Sequence, residues 1–250
     1  MQQFPEILRQ WRTQRRLSQL DLALEANVSS RHISFLETGR SRPSRDMVIH
    51  LGDALSIPLE VRNQMLTSAG FAPKYQKRDW DDAAMAPIKK AIDWTLERHA
   101  PYPGIALDRL WVIQRMNAPA KMLFGAMGAD EGTSMLDLIQ HPLVQDSIEN
   151  WPEVAHHSAL RLRSESAAQG GIPELDGAAD LLAKDAVPSE PNVPAIPTVF
   201  KFGDQRLSLF GTIAQFGTTA DQTLEDLKIE LFFPADEAAE TLLSQISAGH

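Results

Sequence analysis

Eight arginines fall between Arg9 and Arg45, against only three acids. A guanidinium is planar and always charged, and its fork of donors matches both a phosphate and the major-groove edge of guanine. Residues 1–78 carry 12 basic and 7 acidic side chains, a net of +5. Residues 79–250 carry 12 and 26, a net of −14, so the chain as a whole stands at −9. A compact basic segment on an acidic body is the pattern expected where one end meets a polyanion, although a merely solvated Arg-rich surface has the same composition. Other chemistries find little support. The absence of Cys removes disulfides, thiolate metal ligands and a Cys nucleophile, and fits a reducing cytoplasm. His156 and His157 are adjacent, and neighbours on a helix do not share a face, so no metal site is expected. Neither a Gly-x-Ser-x-Gly nor a phosphate-binding Gly-x-x-x-x-Gly-Lys-Ser/Thr stretch occurs. Gly125-Ala126-Met127-Gly128 lacks the strand-then-helix setting of a dinucleotide loop. No enzyme and no resident cofactor are therefore expected. No run of about 18 apolar residues suggests a membrane span, and Met1 to Arg16 is too polar for a secretion signal.

The elements that must carry the arginines are short helices. Phe4, Ile7, Leu8 and Trp11 recur at helical spacing. Ser18 is a suitable N-cap for a helix over Gln19–Ala26, Ser29 for one over Ser30–Thr38, and Ser44 for one running to Leu55. Gly39 suits the left-handed stop of the third helix. Leu59–Ala69 makes a fifth helix, ended by Gly70 and Pro73. Residues 74–84 are polar and read as a linker. Met85–His99 is amphipathic, and Pro101, Pro103 and Gly104 mark a turn. Ile105–Met116 reads as one or two strands followed by a short helix through Phe124. Residues 130–185 read as mainly helical, with Trp151–Ala168 the longest piece. Pro188, Pro191, Pro194 and Pro197 punctuate a loop. The period then changes to that of strands over Ile196–Phe202, Arg206–Phe216 and Leu224–Phe233, with Gly203-Asp204 as a hairpin turn. In the last strand Leu227, Ile229, Leu231 and Phe233 alternate with Lys228, Glu230 and Phe232, which predicts one buried face. Ala235–Ser247 is a closing helix.

Within the basic segment, Ser18-Gln19-Leu20-Asp21-Leu22-Ala23, Val28-Ser29 and Ile33-Ser34-Phe35-Leu36-Glu37-Thr38-Gly39-Arg40 supply two helices joined by a short turn, the unit that reads DNA. Over roughly residues 5–58 the pattern resembles the lambda-repressor-like, or XRE-family, helix-turn-helix. With Ile33 and Leu36 inward, a step of about 100° per residue puts Arg31, Ser34, Phe35 and Thr38 on the far face of the second helix. Arg31 is the first candidate for reading a base, flanked by Ser29, Ser30 and His32 at the helix start. Phe35 has two readings, contact with a thymine methyl or cover for the preceding helix. Gln19 begins a helix, where backbone N–H groups favour phosphate. Arg40, Arg42 and Arg45 are expected to neutralise phosphates without reading sequence. The resemblance implies a different role for Arg12 and Glu37, an internal ion pair tying helix 1 to helix 3.

Beyond residue 84, Asp108-Arg109-Leu110-Trp111-Val112-Ile113, Asn117-Ala118-Pro119-Ala120, Asn150-Trp151-Pro152-Glu153-Val154-Ala155, Arg206-Leu207-Ser208-Leu209-Phe210, Phe216-Gly217-Thr218 and the stretch from Leu227 to Asp236 resemble the MmyB-like ligand-binding domain, from about 105 to 243. That resemblance implies a PAS-like α+β fold, an antiparallel sheet with helices over one face, and a fatty acid or similar lipid as ligand. Trp111, Phe200, Phe202, Leu209, Ile213, Leu227, Ile229 and Leu231 are the apolar residues expected to enclose it. Arg161 is the first candidate anchor for a carboxylate head, with His156 and His157 second. Each of these residues also has a plain reading, as core or as a surface pair. The whole is expected to comprise a helix-turn-helix domain (1–73), a linker (74–84) and a ligand-binding and dimerisation domain (85–250). It would act as a cytoplasmic homodimer on a double-stranded DNA operator; the alternative is a DNA-binding scaffold whose second domain only dimerises or recruits a protein.

Overall fold

The computed structural model describes residues 2–188, 195–217 and 220–248. Pro191 and Pro194 of the expected loop, and Thr218 of the family motif, lie outside them. The chain divides into two compact units, Met1–Arg78 with Thr218–Glu225, and Asp79–Gly217 with Asp226–His250.

The first unit is helical: α1 (Phe4–Gln14), α2 (Gln19–Glu25), α3 (Ser30–Glu37), α4 (Arg45–Ala54) and α5 (Leu59–Ser68). Phe4, Ile7, Leu8 and Trp11 of α1 bury against Leu22 and Ala23, Ile33 and Leu36, Val48 and Leu51, and Met65 and Leu66, so every helix gives one apolar stripe to one core. The caps form as the serines suggest. Ser18 Oγ accepts from Asp21 N–H at 3.1 Å while Asp21 accepts from Ser18 N–H at 2.8 Å; Ser29 accepts from His32 N–H and Ser44 from Met47 N–H, each at 3.2 Å. The turn between α2 and α3 depends on Asn27, whose φ of +47° lets Val28 N–H return to Ala23 C=O at 2.9 Å. Asn tolerates that left-handed conformation better than other residues with a side chain, apart from Asp.

In the second unit, α6 (Ala86–His99) leads into β1 (Gly104–Leu107) and β2 (Ile113–Met116). There follow α7 (Ala118–Gly125), α8 (Met135–Gln140), α9 (Pro142–Asp146), α10 (Trp151–Ala168) and α11 (Pro173–Leu182). The chain then forms β3 (Thr198–Phe202) and β4 (Gln205–Gln215). A short helix of the first unit, α12 (Gln222–Glu225), precedes β5 (Lys228–Pro234) and α13 (Glu237–Ala248). The strands make one antiparallel sheet of order β2-β1-β5-β4-β3. The PAS-like α+β expectation is met in this sheet, with Gly203 (φ +59°) turning the β3–β4 hairpin.

Two expectations are corrected. The last strand begins at Lys228 rather than Leu224, because Asp221 Oδ1 accepts from Thr223 N–H at 3.0 Å and starts a turn of helix over 222–225. Helices also cover both faces of the sheet, not one. On the front face Phe232 meets Phe124 of α7, ring centroids 5.6 Å apart, and Glu230 meets α10. On the back, α6 lies so close that a Cβ on Gly104 would come within 2.9 Å of Leu96, and His99 packs edge-on to Phe233. A side chain at Gly104 would therefore force that of Leu96 to shift.

Asn117 ties these layers together. Its Nδ2 donates to Leu96 C=O and Tyr102 C=O, each at 2.9 Å, and its Oδ1 accepts from Gly104 N–H and Ala120 N–H, each at 3.0 Å. All four hydrogen-bonding positions of a buried amide are filled, so one side chain caps α7 and fixes the end of α6 and the start of β1.

Candidate nucleic-acid interface and sensory site

In the first unit Glu37 is the polar centre. Arg12 grips it with two parallel bonds, Nε to Oε1 at 2.6 Å and Nη2 to Oε2 at 3.0 Å, and donates through Nη1 to Leu17 C=O at 2.8 Å. The hydrogen bonds and charge of Glu37 raise the Arg12 pKa, and partial burial opposes them less strongly. The pair implied between helix 1 and helix 3 is thus present. Gln19 joins it, donating its side-chain amide to Glu37 Oε2 at 2.7 Å. Its amide therefore faces the interior pair, which is not where a phosphate contact would need it.

The other arginines have a different setting. Arg31, Arg40, Arg42 and Arg45 are exposed, as are Ser29 and Ser30; His32, Ser34 and Phe35 are half-buried. The Arg31 guanidinium lies 5.1 Å from the centre of the Phe35 ring, one helical turn on. Phe35 thus has a neighbour that neither reading of its sequence foresaw: it supports Arg31.

The second unit holds a partly buried chain of alternating charge. Arg161 and Glu165 stand four apart on α10, and Lys228 and Glu230 two apart on β5, so each pair projects from one face of its element. Lys228 pairs with Glu165, Arg161 with Glu230, and Arg161 Nε with Glu165 Oε1 at 2.9 Å. Lys228 is 3% exposed and Glu230 6%. Trp111 lies against these charges. Its Nε1 donates to Glu165 Oε2 at 2.9 Å, and the Arg161 and Lys228 cationic centres each stand 4.4 Å from its ring centre. Trp111 is itself held at φ +62°, a rare conformation for a bulky residue. Asp108 organises that turn, accepting from Leu110 N–H and Val112 N–H at 2.9 Å each. Burial acts to raise the Glu165 pKa, but Lys228 and Arg161 outweigh it and the pKa is lowered; burial lowers that of Lys228 despite Glu165.

This network changes the place of several expected ligand contacts. Arg161, the expected carboxylate anchor, already carries two carboxylates, though its Nη2 is buried without a hydrogen-bond partner. The apolar set is split by the two-residue period of the strands. Phe200, Leu209 and Ile213 share the front face with Lys228 and Glu230, whereas Ile229 and Leu231 share the back face with Gly104. Leu227, just before β5, is buried, and Ile213 is 47% exposed. These residues cannot surround a single ligand. His157 is exposed on α10, its ring 5.3 Å from that of His156. Sequence reasoning missed Glu165, Lys228 and Glu230 because a Lys-x-Glu strand normally marks a solvent face. The matching i, i+4 spacing of Arg161 and Glu165 was the available signal.

Among the described residues, open apolar space lies elsewhere. A cleft of about 580 Å³ opens between α7, α13 and the β3–β4 hairpin, lined by Met122, Leu123, Phe202, Leu207, Leu242 and Ile246, with Lys121 beside them. Of the residues expected to enclose a ligand, only Phe202 is there. Lys121 is half-exposed and stands 3.4 Å from Glu131. Among the described residues no cluster of His, Asp and Glu fit for a metal occurs, and no helix is long and apolar enough to cross a membrane.

A helical unit with a turn-linked helix pair and exposed arginines, joined to an α+β unit with an apolar cleft, is the arrangement of a DNA-binding regulator with a ligand-binding domain. The family comparison agrees. Residues 88–246 match the MmyB-like transcription regulator ligand binding domain, and residues 8–61 match a helix-turn-helix. The first match spans well over half of the chain, which belongs to that family. Both families are built from regulator domains rather than enzymes. Among solved structures, the PAS domain from Bordetella pertussis BvgS aligns with 65% of this chain and 97% of its own, at 10% identity and a TM-score of 0.32, too loose a likeness to add weight. No curated protein matches the chain.

Proposed function

We propose that the protein is a sequence-specific, cytoplasmic transcription regulator that binds its operator as a homodimer and whose C-terminal domain takes a fatty acid or similar apolar molecule to modulate that binding. The 580 Å³ apolar cleft carries the ligand half of this reading. It has the size and lining of a small-molecule site, with one cationic side chain, Lys121, placed to meet an acidic head. Arg31, presented by a capped α3, carries the DNA half. Two heads would lie on half-sites about one helical turn apart. A ligand alters operator affinity only by binding one arrangement of the dimer more tightly than another.

Calorimetric titration with dodecanoate and with dodecanol tests the cleft. Both are expected to bind, and Leu207→Trp to abolish both. Lys121→Glu is expected to weaken dodecanoate several-fold while sparing dodecanol. Failure of both compounds to bind, or binding that Leu207→Trp leaves intact, contradicts the assignment. Sedimentation of the protein with a selected operator tests the dimer; one chain per operator overturns it.

A further inference from the structure

The first unit is built from two stretches of chain that are far apart in sequence, and the second lies between two strands of the sheet. Gln215 ends β4 and Lys228 begins β5, and residues 220–225 between them are packed into the DNA-binding unit. Their attachment is specific. Glu225 Oε2 accepts from Leu59 N–H at 2.8 Å, at the first residue of α5. That helix has Pro58 at its N-cap and no side-chain cap of its own, so a carboxylate 166 positions away supplies both the missing acceptor and the favourable charge. Asp221, buried, pairs with Arg78 and forms a bridge with Gln76. Gln222 N–H donates to Gln76 C=O at 2.9 Å and its side chain to Tyr75 C=O at 2.9 Å; Thr223 Oγ1 donates to Arg78 C=O at 2.6 Å. Asn63 of α5 holds the same segment from its other side, bonding Lys74 N–H, Tyr75 N–H and Tyr75 C=O. Residues 74–78, expected to be a plain linker, are thereby fixed between α5 and residues 221–223.

We infer that residues 221–225 are a clamp through which strands β4 and β5 act on the DNA-binding unit, a second tether beside the chain that follows Arg78. The inference rests on the regulatory reading above for what the clamp transmits, though not for its existence. A change in the spacing or position of those strands is delivered to the N-terminus of α5 and to residues 75–78.

Hydrogen exchange on the full-length protein tests this, alone and with saturating dodecanoate. Without ligand, Glu225→Gln and Asp221→Asn are each expected to speed exchange of Leu59–Arg62 and 75–78 about tenfold, leaving α2, α3 and β4 unchanged. Asp221→Asn alters a buried pair, so Glu225→Gln, a milder change at a half-buried cap, keeps the test decisive if the former fails to fold. Unchanged exchange at Leu59–Arg62 in Glu225→Gln overturns the clamp. With dodecanoate, wild type is expected to show altered exchange both at 119–123 and at Leu59–Arg62, and Glu225→Gln only at 119–123. An equal response of Leu59–Arg62 in both proteins overturns transmission through the clamp. No response at 119–123 in either protein instead defeats the ligand assignment, and the ligand-free comparison then decides the clamp.

Discussion

The two units use the same residue types in opposite ways. In the helical unit the cations that could meet a ligand, Arg31, Arg40, Arg42 and Arg45, stay in solvent, while Arg12 is committed inside through Glu37. In the sensor two cations are drawn inward: Arg161 and Lys228 lie against Trp111 and are neutralised by Glu165 and Glu230. An exposed arginine keeps its field and its donors for a polyanion, whereas a buried one is held by the acids that made its burial tolerable. Composition says nothing of which kind a given arginine is. Its partners decide.

Removing Lys228 should break this contrast most severely. Lys228→Met leaves Glu165 and Glu230 facing Arg161 alone, a net buried negative charge, and is expected to destabilise the sensor by about 3–5 kcal/mol in urea unfolding. The same carboxylates give a pH signature. Because the folded pKa of Glu165 is lowered, its contribution is fully present above the ordinary carboxylate value of about 4.3 and is lost as pH falls through the lower folded value. Unfolding of wild type followed from pH 6 to 3 should therefore lose stability more steeply than unfolding of Glu165→Gln.

Arg12→Ala comes next. It strips the bidentate partner from Glu37 and is expected to cost about 2–3 kcal/mol in thermal unfolding of the helical unit, with sequence preference unchanged in the molecules that remain folded. A stably folded variant with an altered preferred operator would put Arg12 on the DNA side of the comparison. Arg31→Ala should do the reverse. Melting stays within about 0.5 kcal/mol of wild type, while discrimination at one base pair falls by about 1–3 kcal/mol in competition binding. The smallest effect is expected at Arg42. Arg42→Ala should weaken binding to all duplexes alike and lower the slope of log K against log salt by about one.

The sequence exposed much of the helical unit. The apolar stripe of α1, the serine caps and the short turn at Asn27 are local features, and local features survive in a string of residues. Asn117 was legible only as part of a motif; its four bonds reach α6, β1 and α7 and have no local signature. The ligand residues of the sensor were the least legible. Alternation in β5 was read correctly as a period of two, and the wrong inference was that only one of the two faces is buried. Lys228 and Glu230 look solvent-facing until α10 brings Arg161 and Glu165 over them. The cleft escaped for a related reason: its walls come from α7, the β3–β4 hairpin and α13, which share no spacing pattern.

By itself the sequence determined the basic head and acidic body, the capped helix pair, the strand-rich C-terminal segment and the family, since each depends on neighbours within a few turns or on a motif. Only the tertiary structure decided that Arg161 is already neutralised, where apolar space is left open, and that residues between β4 and β5 complete the DNA-binding unit. These depend on contacts between residues such as those 63, 69 and 166 positions apart, and chain proximity carries no record of such contacts.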